Sequence, residues 1–330
     1  MDLPTLDLSQ FTHGNKHQRQ QLASSLLSGL KEHGFVKLIN HGVPEGLVSE
    51  MWKLSKAFFE LGQDQKAHIA HQPGPDPQRG WSHVGAESSS GLYRKGFLQS
   101  GETINLKDAR EHWDQGPKTD TQYPNRWPEK SSIPGFRQPM EQAFDALERV
   151  SSTIMEALEA SLHLPAGTFL QKITREKNAS ELRMNHYPGI EVSEIRGGRV
   201  SRIWPHFDLG VITLLFQDSV GGLEFENRQQ KGTFCRIQCG STSEMVVNVS
   251  ETLQRWTNDF LPAGLHRVSL PPLLENCEEG LIPERYSIAY FCKADRDASV
   301  GALEPFKSPN TKYRDITALE YQQQRLESAY

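Results

Sequence analysis

The 330-residue sequence predicts a mixed α/β chain with a mainly β core, a jelly roll flanked by helices, and three observations carry that reading. From Glu181 onward, β-rich runs recur at 182–187, 200–216, 222–226, 233–239 and 245–249, with Gly221-Gly222 as a turn. Closely spaced strands between turn signals belong to sandwiches and barrels rather than to a parallel sheet. The first third instead alternates strand, helix, strand, helix. Between these regions, apolar residues at 144, 147, 150, 154, 158 and 162 trace one stripe of a long helix from Met140 to Leu164.

In chain order, Leu3-Pro-Thr-Leu-Asp-Leu8 reads as a short strand. Apolar positions 22, 26, 27 and 30 give a helix over Gln18 to His33, which Gly34 stops. Phe35-Val-Lys-Leu-Ile-Asn40 alternates as a strand, a His-Gly-Val-Pro turn follows at 41–44, and a second amphipathic helix spans Glu45 to Phe59. His41, between Asn40 and Gly42, is assigned to hydrogen bonds of that turn. The Pro-, Gly- and Ser-rich stretch from His71 to Gly101 carries Arg79, Tyr93, Arg94 and Phe97. A long irregular segment with cationic and aromatic side chains is expected to be a functional loop. Pro124 to Pro139 is a second connector, anchored by Trp127 and Phe136.

Composition removes several function classes. Thirty-six basic against 41 acidic residues give a net charge of −5, with no like-charge block that would form a nucleic-acid or membrane arm. No apolar stretch reaches transmembrane length, and the first residues lack a signal-peptide pattern, so a cytoplasmic protein is expected. The four cysteines, at 235, 239, 277 and 292, lack zinc-type spacing and read as free thiols.

Chemistry concentrates at Trp204-Pro-His206-Phe-Asp208 and the apolar run 209–216. An imidazole and a carboxylate two residues apart share one face of a strand. They make half of a metal site, and His266 is the candidate third ligand of a two-histidine, one-carboxylate triad. With 12 histidines, chance supplies about 0.5 His-x-Asp pairs in a chain of this composition, and a second pair does occur at His112-Trp-Asp114. That pair lies in a charged stretch ending at a Gly-Pro breaker, so His112 is expected to be a surface or loop residue. Downstream, Arg285 and Ser287 share a face at i, i+2 in another strand, a guanidinium fork and hydroxyl suited to a carboxylate.

Taken together, Leu3-Pro-Thr-Leu-Asp7, Gly34-Phe-Val-Lys-Leu-Ile-Asn-His-Gly42, Asn185-His-Tyr-Pro188, His206-x-Asp208, Thr213-Leu-Leu-Phe-Gln217, Gly221-Gly-Leu223, His266-Arg-Val268, Arg285-x-Ser287 and Tyr313 to Leu326 carry a resemblance. The chain resembles, from end to end, the iron(II)/2-oxoglutarate-dependent dioxygenases of the isopenicillin N synthase-like branch. The resemblance implies a double-stranded β-helix core over 121–330, with a long support helix and a C-terminal helix, preceded by an α/β region over 1–120. It implies iron(II) on His206, Asp208 and His266, the far carboxylate of 2-oxoglutarate on Arg285 and Ser287, and Asn185 and Tyr187 as further contacts. Ascorbate would serve as a reductant. Ser250-Glu251 in place of a Gly-Asp pair, and a Pro-poor loop at 190–200, favour a microbial or fungal secondary-metabolism enzyme over a plant one.

The implied reaction consumes dioxygen, decarboxylates 2-oxoglutarate to succinate and oxidises a substrate C–H bond by hydroxylation, desaturation or rearrangement. A small, largely apolar or aromatic substrate is expected, held by the loop Arg79 to Phe97 with the face around Phe207 and Phe291. Phe207, between two ligands, is expected to point away from them. The rival readings are an iron oxidase that does not use 2-oxoglutarate, a zinc hydrolase with the same ligands, and a non-catalytic binding protein on this fold.

Overall fold

The computed structural model describes residues 2–72, 74–89 and 106–326. Two sheets organise them. We label the strands of these sheets β1 (Thr5–Asp7), β2 (Phe35–Ile39), β3 (Gly80–Ser82), β4 (Glu111–Gln115), β5 (Glu181–Tyr187), β6 (Ile203–His206), β7 (Ile212–Gln217), β8 (Leu223–Glu226), β9 (Phe234–Arg236), β10 (Met245–Val249), β11 (His266–Val268) and β12 (Arg285–Cys292). The larger sheet has the order β1-β2-β10-β7-β12-β5-β4-β3 and the smaller β9-β8-β11-β6. Apart from β1 with β2, these pairings are antiparallel. Two antiparallel sheets facing each other across a cavity form the expected jelly roll.

The principal helices are α1 (Lys16–His33), α2 (Glu45–Phe59), α3 (Arg137–Ser161), α4 (Glu251–Trp256) and α5 (Ala318–Leu326). Helix α1 starts in a capping box, in which Asn15 Oδ1 accepts from the Gln18 amide at 3.0 Å and Gln18 Oε1 accepts from the Asn15 amide at 2.9 Å. It ends at Gly34, which adopts φ 79° and donates its N–H to Leu30 O. That is the left-handed stop a glycine supplies without Cβ strain. Met140, Phe144, Leu147, Val150, Ile154 and Leu158 of α3 are buried. They press the helix onto the back of the larger sheet, where the Phe144 ring meets Tyr290 edge-on at 5.2 Å. His41 closes its turn as expected: Nδ1 accepts from the Val43 amide at 3.2 Å, so Nε2 carries the proton donated to Ser243 O at 2.9 Å.

Two local expectations are corrected. Residues 200–216 are not one strand, because the chain leaves β6 at His206 and enters β7 only at Ile212. Asp208 therefore sits in the connection beyond the strand end, and it approaches His206 through that bend rather than by strand alternation. His112 is not a surface or loop residue. It is 1 % exposed on β4, all five residues of which are buried. The charges of this stretch are satisfied inside the protein by Arg110, Arg183, Glu87 and Lys66. Trp113 fills the opposite face against Phe136 at 5.1 Å. Among the described residues no helix is long and apolar enough to cross a membrane.

Candidate active site

His206 closes β6 and His266 opens β11, and the two are directly paired across the smaller sheet. Their ring centroids are 4.2 Å apart. Each Nδ1 faces a carbonyl of its own chain two residues earlier, Trp204 O at 2.9 Å and Gly264 O at 3.0 Å. A carbonyl only accepts, so Nδ1 holds the proton and the Nε2 lone pair is left for a ligand. Both Nε2 atoms aim at Asp208 Oδ1, at 3.6 and 3.8 Å. The other carboxylate oxygen, Oδ2, is occupied, accepting from Thr213 Oγ1 at 2.6 Å and Asn248 Nδ2 at 2.9 Å. Thr213 and Asn248 are themselves a register pair of β7 and β10.

Burial disfavours the charged Asp208 carboxylate, yet the two imidazoles and these two hydrogen bonds outweigh it and hold its pKa below the ordinary value. Burial, followed by the His266 charge, depresses the His206 pKa, so its imidazole is neutral at physiological pH. One ligand atom from each of the three residues lies within 4.8 Å of the others. Two imidazoles that each turn Nε2 inward, with one carboxylate, form the facial donor set that suits a non-haem iron(II). Phe35 of β2 braces the group, its ring edge-on to His266 at 5.7 Å. Gly264 is required here, since a Cβ on it would fall 2.3 Å from that ring.

The larger sheet supplies the opposite arm. Arg285 pairs with Tyr187, and Ser287 with Asn185 and Gln217. Ser287 Oγ lies 3.3 Å from Asn185 Nδ2 and 3.4 Å from Tyr187 OH. Arg285 is fully buried, and its guanidinium carbon stands 4.8 Å from the Tyr187 ring. Among the described residues its one hydrogen bond, from NH2 to Gln217 Oε1, is long at 3.4 Å, and Nε and NH1 have no partner. No carboxylate of the described residues pairs with it. A buried guanidinium left in this state fits an incoming carboxylate. The guanidinium carbon of Arg202, which the sequence reading did not single out, lies 5.9 Å from the Tyr187 ring. Its guanidinium pKa is pushed down to about 10 by burial and then by Arg285. Four residues ahead of His206 it had no motif to mark it.

His206, Asp208, His266, Thr213, Asn248, Asn185, Tyr187, Arg285 and Ser287 face one cavity, in which the space open to water-sized molecules is about 110 Å³, whereas Arg202 and Gln217 do not line it. Phe207 and Phe291 also line it. Phe207 is half-buried at this wall rather than packed in the core. Arg79 does not reach the cavity. It is buried and spends its guanidinium on Tyr123 O, Gln78 O, Glu181 and Asp120. Tyr93, Arg94 and Phe97 lie outside the described residues. The third wall, also missed from the sequence, is charged and holds Glu87, Arg110 and Arg183, with Glu181 and Lys293 beside them.

A jelly roll with two histidines and a carboxylate at its mouth is the arrangement of non-haem iron oxidoreductases. Family models described as "non-haem dioxygenase in morphine synthesis N-terminal" and "2OG-Fe(II) oxygenase superfamily" match residues 3–130 and 179–294. The chain belongs to the 2OG-Fe(II) oxygenase superfamily, and is an oxidoreductase dependent on iron(II) and 2-oxoglutarate. It is 46% identical to the 2-oxoglutarate-dependent dioxygenase ucsF of Acremonium sp, over 100% of both chains. It is 43% identical to phqC of Penicillium fellutanum, over 98% of this chain and 94% of that one. The proline hydroxylase buaE of Petromyces alliaceus matches at 37% over 100% of both. Among solved structures, a full-length Neurospora crassa protein in complex with alpha-KG and thymine superimposes with a TM-score of 0.84 at 28% identity, covering 98% of this chain and 96% of that one.

Proposed function

We propose that His206, Asp208 and His266 hold the iron, that Arg285 with Ser287, Asn185 and Tyr187 receives the far carboxylate of 2-oxoglutarate, and that a small molecule is oxidised at a C–H bond in the remaining space. The observation that carries this reading is the buried Arg285, with Nε and NH1 unpartnered among the described residues, in the same cavity as the triad. When bound, iron and 2-oxoglutarate supply the oxidising power at the expense of dioxygen and of the keto acid's carboxylate. The chain's own residues do the rest. Nδ1–H contacts to Trp204 O and Gly264 O keep both imidazoles turned to the ligand, and Thr213 with Asn248 leaves only Oδ1 of Asp208 for it. Leu215, Leu223, Val246 and Val268 line the floor and exclude water from the co-substrate.

Fungal relatives of matching length support a role in fungal secondary metabolism. One relative is named for proline and one neighbouring structure holds thymine, so small polar molecules are within the range of this scaffold. The test is anaerobic titration of the purified chain with Fe(II) and then 2-oxoglutarate, read as the visible charge-transfer band of the chelate. The band should appear in the wild type and be absent from His206→Ala, Asp208→Ala and His266→Ala. In air, succinate release should depend on iron. A wild-type chain that binds iron without forming the band, or releases no succinate, overturns the reading.

A further inference from the structure

Resting on the proposed function above, we infer that Arg202 is a second cation of the co-substrate arm. It acts from behind Tyr187, without lining the cavity, and the far carboxylate of 2-oxoglutarate is thereby held as the counter-ion of two guanidiniums instead of one. Arg202 is in this sense a positioning residue, outside the Arg285-x-Ser287 pair that marks the arm in the sequence.

The charge pairing of the buried cations singles it out. Lysine and arginine are buried at Lys66, Arg79, Arg110, Arg183, Arg202 and Arg285 among the described residues. Four of these six have a carboxylate partner: Lys66 Nζ lies 2.9 Å from Glu111, Arg79 NH2 3.0 Å from Asp120 and Arg183 Nε 2.8 Å from Asp114, and Arg110 NH2 is paired with Glu87. Arg202 and Arg285 form no such pair among the described residues. Both instead press on one ring, with guanidinium carbons 5.9 and 4.8 Å from the centre of Tyr187, inside the range at which an aromatic face attracts a cation.

Arg202 is 1 % exposed. Its NH2 donates to Pro283 O, two residues before Arg285, while Nε and NH1 have no acceptor among the described residues. Asp218, whose charge reaches Arg202, accepts from the Val220 amide at 3.0 Å through Oδ1 and from the Tyr286 amide at 2.6 Å through Oδ2. It forms no ion pair with the guanidinium. A buried arginine that served packing alone would lose its hydration with little to offset the loss. Its pKa, pushed down to about 10, still leaves it charged at neutral pH, so the empty arm holds two positive charges that repel each other. An entering carboxylate relieves that repulsion and meets both charges.

The route from Arg202 to the ligand is Tyr187. Ile203 lines the cavity and its neighbour Arg202 does not, as alternation along an extended chain requires. Tyr187 does line it, with its hydroxyl 3.4 Å from Ser287 Oγ. The ring therefore touches the second cation and the cavity at once.

The experiment uses the whole chain loaded anaerobically with Fe(II) and read by the charge-transfer band. Two ligands are titrated: 2-oxoglutarate, and 2-oxopentanoate, which keeps the chelating 2-oxo acid and has a methyl group in place of the far carboxylate. Arg202→Gln should raise the dissociation constant for 2-oxoglutarate about tenfold, the size of one charge acting across several ångströms of protein. It should leave 2-oxopentanoate within about twofold of wild type, because a ligand without the far carboxylate has nothing for the second cation to hold. Arg202→Lys keeps the charge and should recover most of the affinity for 2-oxoglutarate. Iron affinity, measured by chelator competition, and melting temperature should match wild type in both variants. Unchanged 2-oxoglutarate affinity in folded Arg202→Gln, equal losses for the two ligands, or a lysine variant no better than the glutamine one overturns the inference. Where the wild type forms no band with 2-oxopentanoate, the lysine variant decides alone. Failure of the wild type to form the band with 2-oxoglutarate would instead strike the iron and 2-oxoglutarate assignment.

Discussion

Arg110 NH1 donates to Asn185 Oδ1 at 3.0 Å, and that bond decides which end of the Asn185 carboxamide meets Ser287. With its oxygen committed to the guanidinium, Asn185 presents Nδ2 to Ser287 Oγ. Asn185→Asp keeps the acceptor for Arg110 but puts a carboxylate where the co-substrate carboxylate is proposed to dock. Its dissociation constant for 2-oxoglutarate should rise more than that of Asn185→Ala, for which roughly tenfold is expected from the loss of one hydrogen-bonding group. Charge-transfer titration of the two variants side by side checks the order.

Loss of Arg285 should be the larger effect. A carboxylate deprived of a buried charged partner loses on the order of 2–5 kcal/mol, so Arg285→Ala should need about 30-fold or more extra 2-oxoglutarate. Arg285→Lys restores charge without the fork and should recover only part of it. Succinate formation measured against 2-oxoglutarate concentration reports both.

Thr213 and Asn248 lie behind the proposed metal ligands and orient Asp208, the one of them that is not on a strand. Thr213→Val and Asn248→Leu each release Asp208 Oδ2, and each should weaken iron binding by about 10- to 100-fold. Competition with a calibrated chelator measures it. Unchanged affinity in both would mean that the bend at 207–211 alone holds Asp208.

The buried strand β4 predicts a pH effect on stability. Burial pushes the Asp114 carboxyl up to about 6, from an ordinary 3.8, despite the Arg183 guanidinium beside it. Because its folded value is raised, the folded state binds the proton more tightly. Stability from this group therefore falls as pH rises from about 4 to 6, and the full cost stands above pH 6. The stability of Asp114→Asn relative to wild type should accordingly shift in the variant's favour by on the order of 1–3 kcal/mol between pH 4 and pH 7.5. Urea melts at the two pH values test the sign.

Helix α5 closes one side of the cavity with Gln322 and Leu326. It is tied down where Tyr321 OH reaches Glu251 Oε2 at 2.7 Å and Arg325 NH2 reaches Glu251 Oε1 at 2.9 Å. Glu251→Ala should raise amide hydrogen exchange in 318–326 while leaving exchange in β7 and β12 unchanged.

The proposed metal ligands and the proposed arginine arm could be picked out of the sequence because each pairs a distinctive polar spacing with an apolar strand. Thr213 to Phe216 supports Asp208, and Ile288 to Tyr290 carries Arg285 and Ser287. The charged wall was not readable, because Glu111-His-Trp-Asp-Gln115 has the composition of a solvated segment. Its burial depends on partners at Lys66, Glu87 and Arg183 that only the folded sheet brings together. The bend that moves Asp208 off its strand was hidden for a related reason, since residues 209–212 are as apolar as a strand but turn at Gly210. There a Cβ would fall 2.4 Å from Cys292 O.

Strand β2 lies between β1 and β10, so Leu38 waits for Met245. During synthesis that partner emerges on the order of tens of seconds later at ordinary elongation rates. Until then the first forty residues hold one satisfied strand and one bare edge, the kind of surface that invites pairing with another chain. The proposed iron pocket, braced by Phe35 on that strand, is thus among the last parts of the molecule to become complete. A recombinant piece that stops before residue 245 would leave the ribosome with this edge open and aggregate, however well its own helices had formed.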